Sequence, residues 1–305
     1  MKSISKFPII LDGGMGRELE SLGAPFKQPE WSAQALMDSP EFISQAHRNF
    51  IDAGAEVITT NTYALVPFHI GQQRYDERGA ALIKQAAQLA RTCIKDNEDI
   101  QVAGCIPPVL GSYRPDLFST QQAQPIIDLH IQQQRNDVDF WLAETISSIA
   151  EAKLIKDLTA PTQKSTWISF TVKDNQTDVS VLRSGETVYD AVTQIAGQNV
   201  SAILFNCSCV EVMESALISA KEALNDLTDG KHILLGVYAN NFPPIDEHHQ
   251  ANNGVTKIRA DVSVEKYSQF AKTWLQAGAS IIGGCCGVSP QHIQKLASIK
   301  YDNNQ

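Results

Sequence analysis

The sequence lacks the features that mark several large classes of protein. Its 305 residues contain no apolar run near the roughly 20 residues that a membrane-spanning helix needs. The 25 lysines and arginines, against 34 acidic residues, form no cluster of the kind that binds nucleic acid or an anionic membrane surface. The first residues also lack the long apolar segment of a signal peptide. We therefore expect a cytoplasmic protein whose partners are neither nucleic acids nor membranes.

Cysteine is scarce as well. Six cysteines are too few for a disulfide scaffold in a chain of this length, and in a reducing compartment they serve as metal ligands, reactive thiols or core residues. Apolar residues make up 43% of the chain and charged residues 19%, as in a globular protein with a sizeable core. Because no low-complexity segment or linker interrupts the chain, we predict one domain over residues 1–305.

Eight short β-branched runs alternate with longer amphipathic segments. The runs are continuously apolar, as expected of parallel strands covered by helices, and they occupy 8–14, 56–62, 100–106, 139–145, 165–172, 201–208, 232–240 and 279–287. The first amphipathic segment has Ser39 as an N-cap and Pro40 at its first position, and it ends near Gly54. Others fill 71–95, 121–136, 146–157, 186–197, 209–227, 263–277 and 289–298.

Eight strand-then-helix units in series predict an α/β fold of the (β/α)8 TIM barrel type. A doubly wound open sheet is the alternative. Such a sheet usually carries a glycine-rich phosphate loop after its first strand, and the segment LDGGMGRELE matches that loop only loosely. The two longest stretches without a clear pattern, 107–120 and 241–262, follow strand ends and are expected on the active-site face.

Polar side chains follow most of the predicted strands. The carboxyl ends of barrel strands meet at one rim, so these side chains are expected to converge there. The set comprises Asp12, Asn61, Thr62, Cys105, Glu144, Asn206, Cys207, Asn240, Cys285 and Cys286.

The adjacent Cys285 and Cys286 in the segment GGCCG are the most informative pair. Neighbouring strand residues point to opposite faces, so both sulfurs reach one metal only where the backbone bends, which flanking glycines permit. Cys207 from another strand would add a third thiolate, and three ligands leave the fourth position of a zinc ion open, as in catalytic sites. On spacing alone, buried structural cysteines or a vicinal disulfide are alternatives, and Cys209 competes with Cys207 as the third ligand.

With these segments, the chain resembles the homocysteine S-methyltransferase family, which includes betaine-, S-methylmethionine- and cobalamin-dependent homocysteine methylases. The matching segments lie in the family's order over nearly the whole chain: LDGGMGRELE, TTNTYA, LAET, FNCS, VYAN and GGCCGVSPQHI. The resemblance implies a zinc-dependent enzyme that transfers a methyl group from a sulfonium or other cationic donor to homocysteine, giving methionine. Its partners would be these small molecules, and the sequence leaves the oligomeric state open.

The resemblance also implies roles for single residues. Cys207, Cys285 and Cys286 match the family's three zinc ligands and would be the catalytic residues. Asp12 and Glu144, with backbone groups around Gly13 and Gly14, would hold the amino-acid end of homocysteine. The remaining residues expected to bind substrate are Asn61, Asn206, Tyr63 and Tyr113.

The methyl donor stays open at this stage. The segment GCIPPVLGSYRPDLF replaces the Gly-Pro-Tyr-Gly-type loop found in many family members, and a separate corrinoid protein remains an alternative source of the methyl group. Tyr63, Phe68 and Tyr113 follow strand ends and are the candidate aromatic contacts for a cationic donor.

Two other functions also stay open. One is the same zinc-thiolate chemistry on another acceptor, such as selenocysteine. The other is a zinc- or redox-sensing barrel without catalysis, in which Cys105 joins the other thiols. His248 and His249 are candidate additional ligands, although a polar loop is the preferred interpretation of that segment. An amino-acid clamp of Asp12 and Glu144 argues against such a sensor.

Overall fold

Eight parallel strands form the centre of the molecule in the computed structural model, which describes residues 8–95, 97–174, 179–228, 230–245 and 256–302. The strands are β1 (Ile9–Ile10), β2 (Val57–Thr59), β3 (Gln101–Ile106), β4 (Phe140–Ile146), β5 (Thr166–Phe170), β6 (Val200–Asn206), β7 (Leu234–Tyr238) and β8 (Ile281–Ile282). They pair in the order β1-β8-β7-β6-β5-β4-β3-β2. A parallel bridge between Leu11 and Val57 joins the two outer strands, so the sheet closes. The predicted (β/α)8 TIM barrel is confirmed.

Eleven helices accompany the strands over the described residues. They are α1 (Met15–Ser21), α2 (Ser32–Asp38), α3 (Pro40–Asp52), α4 (Pro67–Ile70), α5 (Gln72–Ile94), α6 (Thr120–Gln134), α7 (Ile149–Thr159), α8 (Val188–Ile195), α9 (Met213–Asp226), α10 (Val264–Ala277) and α11 (Pro290–Asp302). Every predicted helical segment corresponds to one of these, whereas α1, α2 and α4 were not predicted. None of the helices in the described ranges has the length and apolar character needed to cross a membrane.

Local sequence determines where several of the helices around the barrel begin. Ser148, Thr187 and Ser263 cap α7, α8 and α10, each side chain accepting a backbone N–H from the first turn. Ser39 stands at the predicted N-cap of α3 and Pro40 at its first position, but the Ser39 side chain makes no capping hydrogen bond. The predicted position is therefore right, and the expected contact is absent.

The barrel interior is a layered apolar core. Phe140, Leu142, Trp167 and Leu204 belong to one cluster inside the barrel, with the Phe140 and Trp167 ring centroids 4.2 Å apart. Burial of a large apolar side chain contributes about 1.5–3 kcal/mol to stability, so this layer anchors the strands. Since side chains of a strand alternate between its two faces, the inward positions above this core fall to the polar ends of the strands.

Three strand ends show this alternation. Glu144 is two residues beyond Leu142, Asn206 is two beyond Leu204, and Tyr238 is two beyond the interior residue Gly236. Each faces the same cavity at the carboxyl end of the barrel. The loops 107–120 and 241–245 border that cavity as predicted, while His248 and His249 lie outside the described residues.

Candidate active site

A cavity of ≈ 250 Å³ opens at the carboxyl ends of the strands. All eleven residues that the sequence singled out as catalytic or substrate-binding line it: Asp12, Gly13, Gly14, Asn61, Tyr63, Tyr113, Glu144, Asn206, Cys207, Cys285 and Cys286. The barrel thus brings together residues that are far apart in the chain. Their roles in binding remain predictions.

An irregularity in β4 turns two adjacent residues toward the cavity. Pairing with β5 shifts register between Ala143 and Ile146, and Thr145 has φ of 59°, in the left-handed region that β-branched residues rarely adopt. Asn206 holds this conformation, because its Oδ1 accepts the Thr145 backbone N–H at 2.9 Å and its Nδ2 donates to the Thr145 hydroxyl at 3.0 Å. Glu144 and Thr145 consequently both face the cavity.

Cys207 follows β6 with the same kind of backbone. Its φ is 51°, so that Asn206 and Cys207, although adjacent, both line the cavity. Cys285 and Cys286 are brought in differently. The predicted strand 279–287 is too long, since β8 ends at Ile282 and both cysteines lie in the loop beyond it. The expected bend is therefore a departure from the strand, followed by a turn at Gly287, where φ is 79°.

The three sulfurs form one compact group. The Sγ of Cys207 lies 2.7 Å from that of Cys285 and 3.9 Å from that of Cys286, and the latter two are 3.9 Å apart. Thiolates on a tetrahedral zinc ion, with Zn–S near 2.3 Å, are about 3.8 Å apart, which two of these spacings match. The group is therefore able to bind a metal ion. Cys209 is outside it, because its Sγ donates to the Phe242 carbonyl at 3.5 Å, and this placement favours Cys207 over Cys209 as the third ligand.

The three thiols differ in pKa because they hydrogen-bond to one another. Hydrogen bonds from Cys285 and Cys286 hold the pKa of Cys207 well below its usual range. Donation to Cys207 in turn raises the pKa of Cys285 and of Cys286 well above the usual range. Cys207 is therefore the most acidic of the three thiols, and Tyr113 also contacts its sulfur by a hydrogen bond.

The end of β1 packs tightly against the loop after β8 that carries Cys285 and Cys286, which we call the cysteine loop. A Cβ atom on Gly14 would lie 2.6 Å from the Cys285 carbonyl oxygen, and one on Gly283 would lie 2.5 Å from the Cβ of Leu11. Backbone hydrogen bonds join the same segments, from Gly14 N–H to Val288 and from Gly284 N–H to Asp12. Glycine is required at these positions because any side chain would separate the two segments.

Two carboxylates lie in the wall of the cavity. Asp12 accepts the Thr59 backbone N–H at 2.7 Å and the Thr59 hydroxyl at 3.2 Å. Burial raises the pKa of Asp12 to about 8, against these hydrogen bonds, which lower it. Burial likewise raises the pKa of Glu144 to about 7, while hydrogen bonds from Cys105 and Tyr238 lower it. An ammonium group placed between them would favour the ionised carboxylates and would itself be stabilised.

A buried ion pair supports the part of the cavity wall that contains Tyr113. Arg183 donates to Asp174 at 2.9 Å, and its guanidinium lies 5.3 Å from the centroid of the Tyr113 ring. Asp174 also accepts the backbone N–H of Cys209 at 2.7 Å and of Ile245 at 2.8 Å. The pair thereby ties the loop after β5 to three segments around the cavity. Sequence reasoning missed it, since no local pattern links residues so far apart.

Several other cavity residues were also missed. Thr59, Thr145 and Tyr238 stand inside the family-like motifs TTNTYA, LAET and VYAN, so the motifs carried a signal for them. Phe242 lies in a stretch without any pattern. Conversely, four residues proposed from strand ends do not line the cavity: Thr62, Phe68, Cys105 and Asn240. Phe68 is 38% exposed, which removes it from the candidate donor contacts.

Comparison with known proteins gives one consistent result. The model of one family, described as homocysteine S-methyltransferase, matches residues 9–299. A homocysteine S-methyltransferase of Escherichia coli (strain K12) is 29% identical, with 94% of each chain covered. The homocysteine S-methyltransferase YbgG of Bacillus subtilis (strain 168) is 26% identical over 95% of this chain and 93% of its own.

A selenocysteine methyltransferase of Astragalus bisulcatus is 25% identical over 95% of this chain and 91% of its own. Among solved structures, the metallated form of the homocysteine methyltransferase MmuM from Escherichia coli superimposes with a TM-score of 0.75 at 25% identity, covering 97% of each chain. The similarity therefore extends over the whole barrel.

Proposed function

Because the chain belongs to the homocysteine S-methyltransferase family, we propose that it transfers a methyl group from a cationic donor to the sulfur of homocysteine, giving methionine. The sequence motifs that suggested this family are spread over the length that the family model matches, so that prediction is confirmed. The reaction would take place in the cavity at the carboxyl ends of the strands.

One observation carries the proposal, which is the meeting of three thiols and two carboxylates in a single cavity. An amino acid with a thiol side chain needs both kinds of group, one set for its ammonium end and one for its sulfur. The carboxylates and the cysteines come from different strand ends of the barrel. We refer to Asp12 and Glu144 together as the acidic wall.

We assign the metal as Zn²⁺, held by Cys207, Cys285 and Cys286. The donor set fits, because soft thiolate ligands select zinc and three of them leave a coordination position for a substrate. The metallated form of the Escherichia coli relative agrees with a metal in this family. Bound there, zinc would act as a Lewis acid that keeps the acceptor's thiol deprotonated at neutral pH. A cytoplasmic location would keep the cysteines reduced.

The chain's own residues would bind and orient the acceptor. Asp12 and Glu144 would bind its ammonium group, with backbone groups around Gly13 and Gly14 beside them. Thr59 already fixes the Asp12 carboxylate, so little further ordering is needed on binding. Orientation of both reactants can lower a barrier by up to about 7–11 kcal/mol, and binding of the acceptor's ammonium group would supply a part of this.

The donor would lie among aromatic rings. Tyr63, Tyr113 and Phe242 line the cavity, and a cation close to such a ring face gains about 0.5–2 kcal/mol. Asn61 and Asn206 also line the cavity and would offer amide groups to the substrates. In the transfer, the donor's carbon–sulfur or carbon–nitrogen bond breaks, and its electron pair leaves with a neutral sulfide or amine. The methyl group bonds to the acceptor's sulfur, and the thiol proton passes to solvent.

A selenol acceptor is the second candidate. The Astragalus bisulcatus relative is named a selenocysteine methyltransferase, and selenocysteine carries the same ammonium group for the acidic wall to bind. Competition between homocysteine and selenocysteine for one labelled donor would rank the two acceptors. A non-catalytic sensor is less favoured, since the cysteine group shares its cavity with Asp12 and Glu144.

Methionine formation from homocysteine tests the proposal. Zinc-loaded protein is offered S-methylmethionine, S-adenosylmethionine and betaine in parallel, with Cys286→Ala as the inactive control and Cys93→Ala, outside the cavity, as the matched cysteine control. We expect turnover with at least one donor, retained in Cys93→Ala and abolished in Cys286→Ala. Zinc-loaded wild-type protein that forms no methionine from any of the three would contradict the proposal for these donors.

A further inference from the structure

One cationic side chain lines the cavity, and the proposed mechanism does not use it. Among the described residues that form the wall, Arg17 is the only lysine or arginine, whereas the carboxylates of Asp12 and Glu144 are the only acidic groups. The Arg17 side chain is 20% exposed, which places it toward the mouth, and Asp12 is 7% exposed at the end of β1. Arg17 belongs to α1 and contacts Glu20, Thr256 and Phe242, whereas Asp12 is held by Thr59, so the positive and negative groups have different neighbours.

The position of the Arg17 guanidinium is fixed by three neighbours. It donates to the Thr256 carbonyl, pairs with Glu20, and lies 5.6 Å from the centroid of the Phe242 ring. Phe242 in turn borders the cysteine loop, because a Cβ on Gly287 would lie 3.3 Å from its ring. One aromatic side chain thus separates the guanidinium from the loop that carries Cys285 and Cys286.

The guanidinium has donor capacity left for a ligand. Two of its five N–H groups are used, one by Glu20 and one by Thr256. Glu20 is 49% exposed and stands three residues along the same helix. Exposed ion pairs of this kind are weak, so a carboxylate entering the cavity can displace Glu20 and form the two parallel hydrogen bonds that a guanidinium favours.

From this arrangement we infer that Arg17 binds the carboxylate of the methyl donor and thereby selects cationic donors that carry one. The inference rests on the proposed function and deepens it. The acceptor's ammonium group is assigned to Asp12 and Glu144, on the acidic wall. The donor's carboxylate would neutralise Arg17 while its cationic centre lies among the aromatic rings. A donor without a carboxylate would meet an uncompensated like charge and would be used poorly.

The test compares two donors in wild-type protein and Arg17→Gln. S-methylmethionine carries a carboxylate and trimethylsulfonium does not; homocysteine is the acceptor throughout. Loss of a charged hydrogen-bonded pair predicts that KM for S-methylmethionine rises about 10- to 100-fold in Arg17→Gln. The preference for S-methylmethionine over trimethylsulfonium, as a ratio of kcat/KM, falls by the same factor. KM for homocysteine stays at its wild-type value. Arg74→Gln, which removes a surface arginine paired with Glu30, is the matched control and keeps the wild-type preference.

Equal proportional losses with both donors would overturn the inference, since Arg17 would then serve the structure of the cavity rather than the carboxylate. A rise in KM for homocysteine alone would also overturn it, by assigning Arg17 to the acceptor. Calorimetric binding of S-methylmethionine separates this inference from the proposed function. Weaker binding in Arg17→Gln, in a protein that turns over neither donor, would support the carboxylate contact and count against methyl transfer from these donors. Unchanged binding would sink the Arg17 inference whatever the turnover.

Discussion

Single residues in strained conformations shape the cavity. Among the residues that the structure describes, six non-glycine residues have positive φ, and four of them line the cavity, namely Trp31, Tyr113, Thr145 and Cys207. Such conformations cost on the order of 1–3 kcal/mol each, so the rest of the fold must hold them in place. Thr145 shows how, because Asn206 bonds both its backbone and its hydroxyl. The positive-φ conformations turn Thr145 and Cys207 toward the cavity, whereas Glu144 faces it through the ordinary alternation of strand residues.

Glu151 carries the clearest pH dependence outside the cavity. Its carboxylate is buried at the start of α7, where it accepts the Ser147 backbone N–H at 3.0 Å. Burial raises its pKa from 4.5 to about 7. Below pH 4.5 folded and unfolded chains both hold the proton, and between pH 4.5 and 7 only the folded chain does. The free energy of unfolding therefore falls as pH rises through that window. At about 1.4 kcal/mol per pKa unit, the decrease is roughly 3 kcal/mol.

We predict that Glu151→Gln is more stable than wild type at pH 8 and has nearly equal stability at pH 4.5, because glutamine keeps the hydrogen-bond acceptor without the buried charge. Urea unfolding at the two pH values measures the difference. Ser148→Ala removes the neighbouring cap of the same helix and no titratable group, so it should cost about 1 kcal/mol at both pH values. A Glu151→Gln advantage that is independent of pH would contradict this assignment of the pH dependence.

At this scale, the sequence predicted which residues form the site but not their backbone conformations. The three thiols and the two carboxylates stood out by type and by their place after strands. The left-handed backbone of Thr145 did not, since it depends on Asn206, 61 residues away in the chain. Arg17 was inside a recognised motif and yet carried no sign of its role, because only the barrel brings Phe242 beside it.

At the scale of elements, the end of β1 and the cysteine loop behave as one unit. Gly14 lies between β1 and α1, and its backbone approaches Cys285 so closely that a methyl group has no room. This segment would support the metal ligands as hydrogen-bonding neighbours do in other metal sites. Loss of such a neighbour typically weakens metal binding about 10- to 100-fold.

Alanine substitutions at two glycines test whether the end of β1 supports the metal ligands on the cysteine loop. Gly14→Ala would push the Cys285 carbonyl aside and should lower zinc affinity by about 10- to 100-fold. Gly16→Ala, two residues on, would meet only the Phe26 ring at 3.0 Å, a side chain that can shift, and should keep wild-type affinity. Competition with a chromophoric chelator measures both. Equal affinities in the two variants would show that the segments do not depend on each other.

Element boundaries explain what the sequence could and could not predict here. All eight strands were predicted, but the last one as 279–287, whereas β8 covers only Ile281–Ile282. Apolar and glycine residues continue past the last paired residue, so composition extends a strand beyond its hydrogen bonds. Helices α1 and α2 were missed because each has only seven residues, too few for a clear periodic pattern.

At the scale of the whole molecule, closure of the barrel places the carboxyl ends of all eight strands around one rim. Regular alternation of strands and helices predicts this fold, because parallel strands need long crossovers and eight of them close on themselves. The same closure explains why site residues from positions 12 to 286 share a cavity. Pairwise contacts across the cavity, such as those of Arg183 with Asp174 and Tyr113, arise from side-chain packing in three dimensions and have no local signal.

The central claim is that Cys207, Cys285 and Cys286 together form the metal centre of a methyltransferase. Zinc titration of reduced, metal-free protein against a competing chelator tests it most directly. We predict one zinc per chain, lost in the alanine variant of each of these three cysteines and retained in Cys93→Ala and Cys209→Ala. Zinc that binds as tightly without any one of the three, or that is lost with Cys209→Ala alone, would contradict the claim.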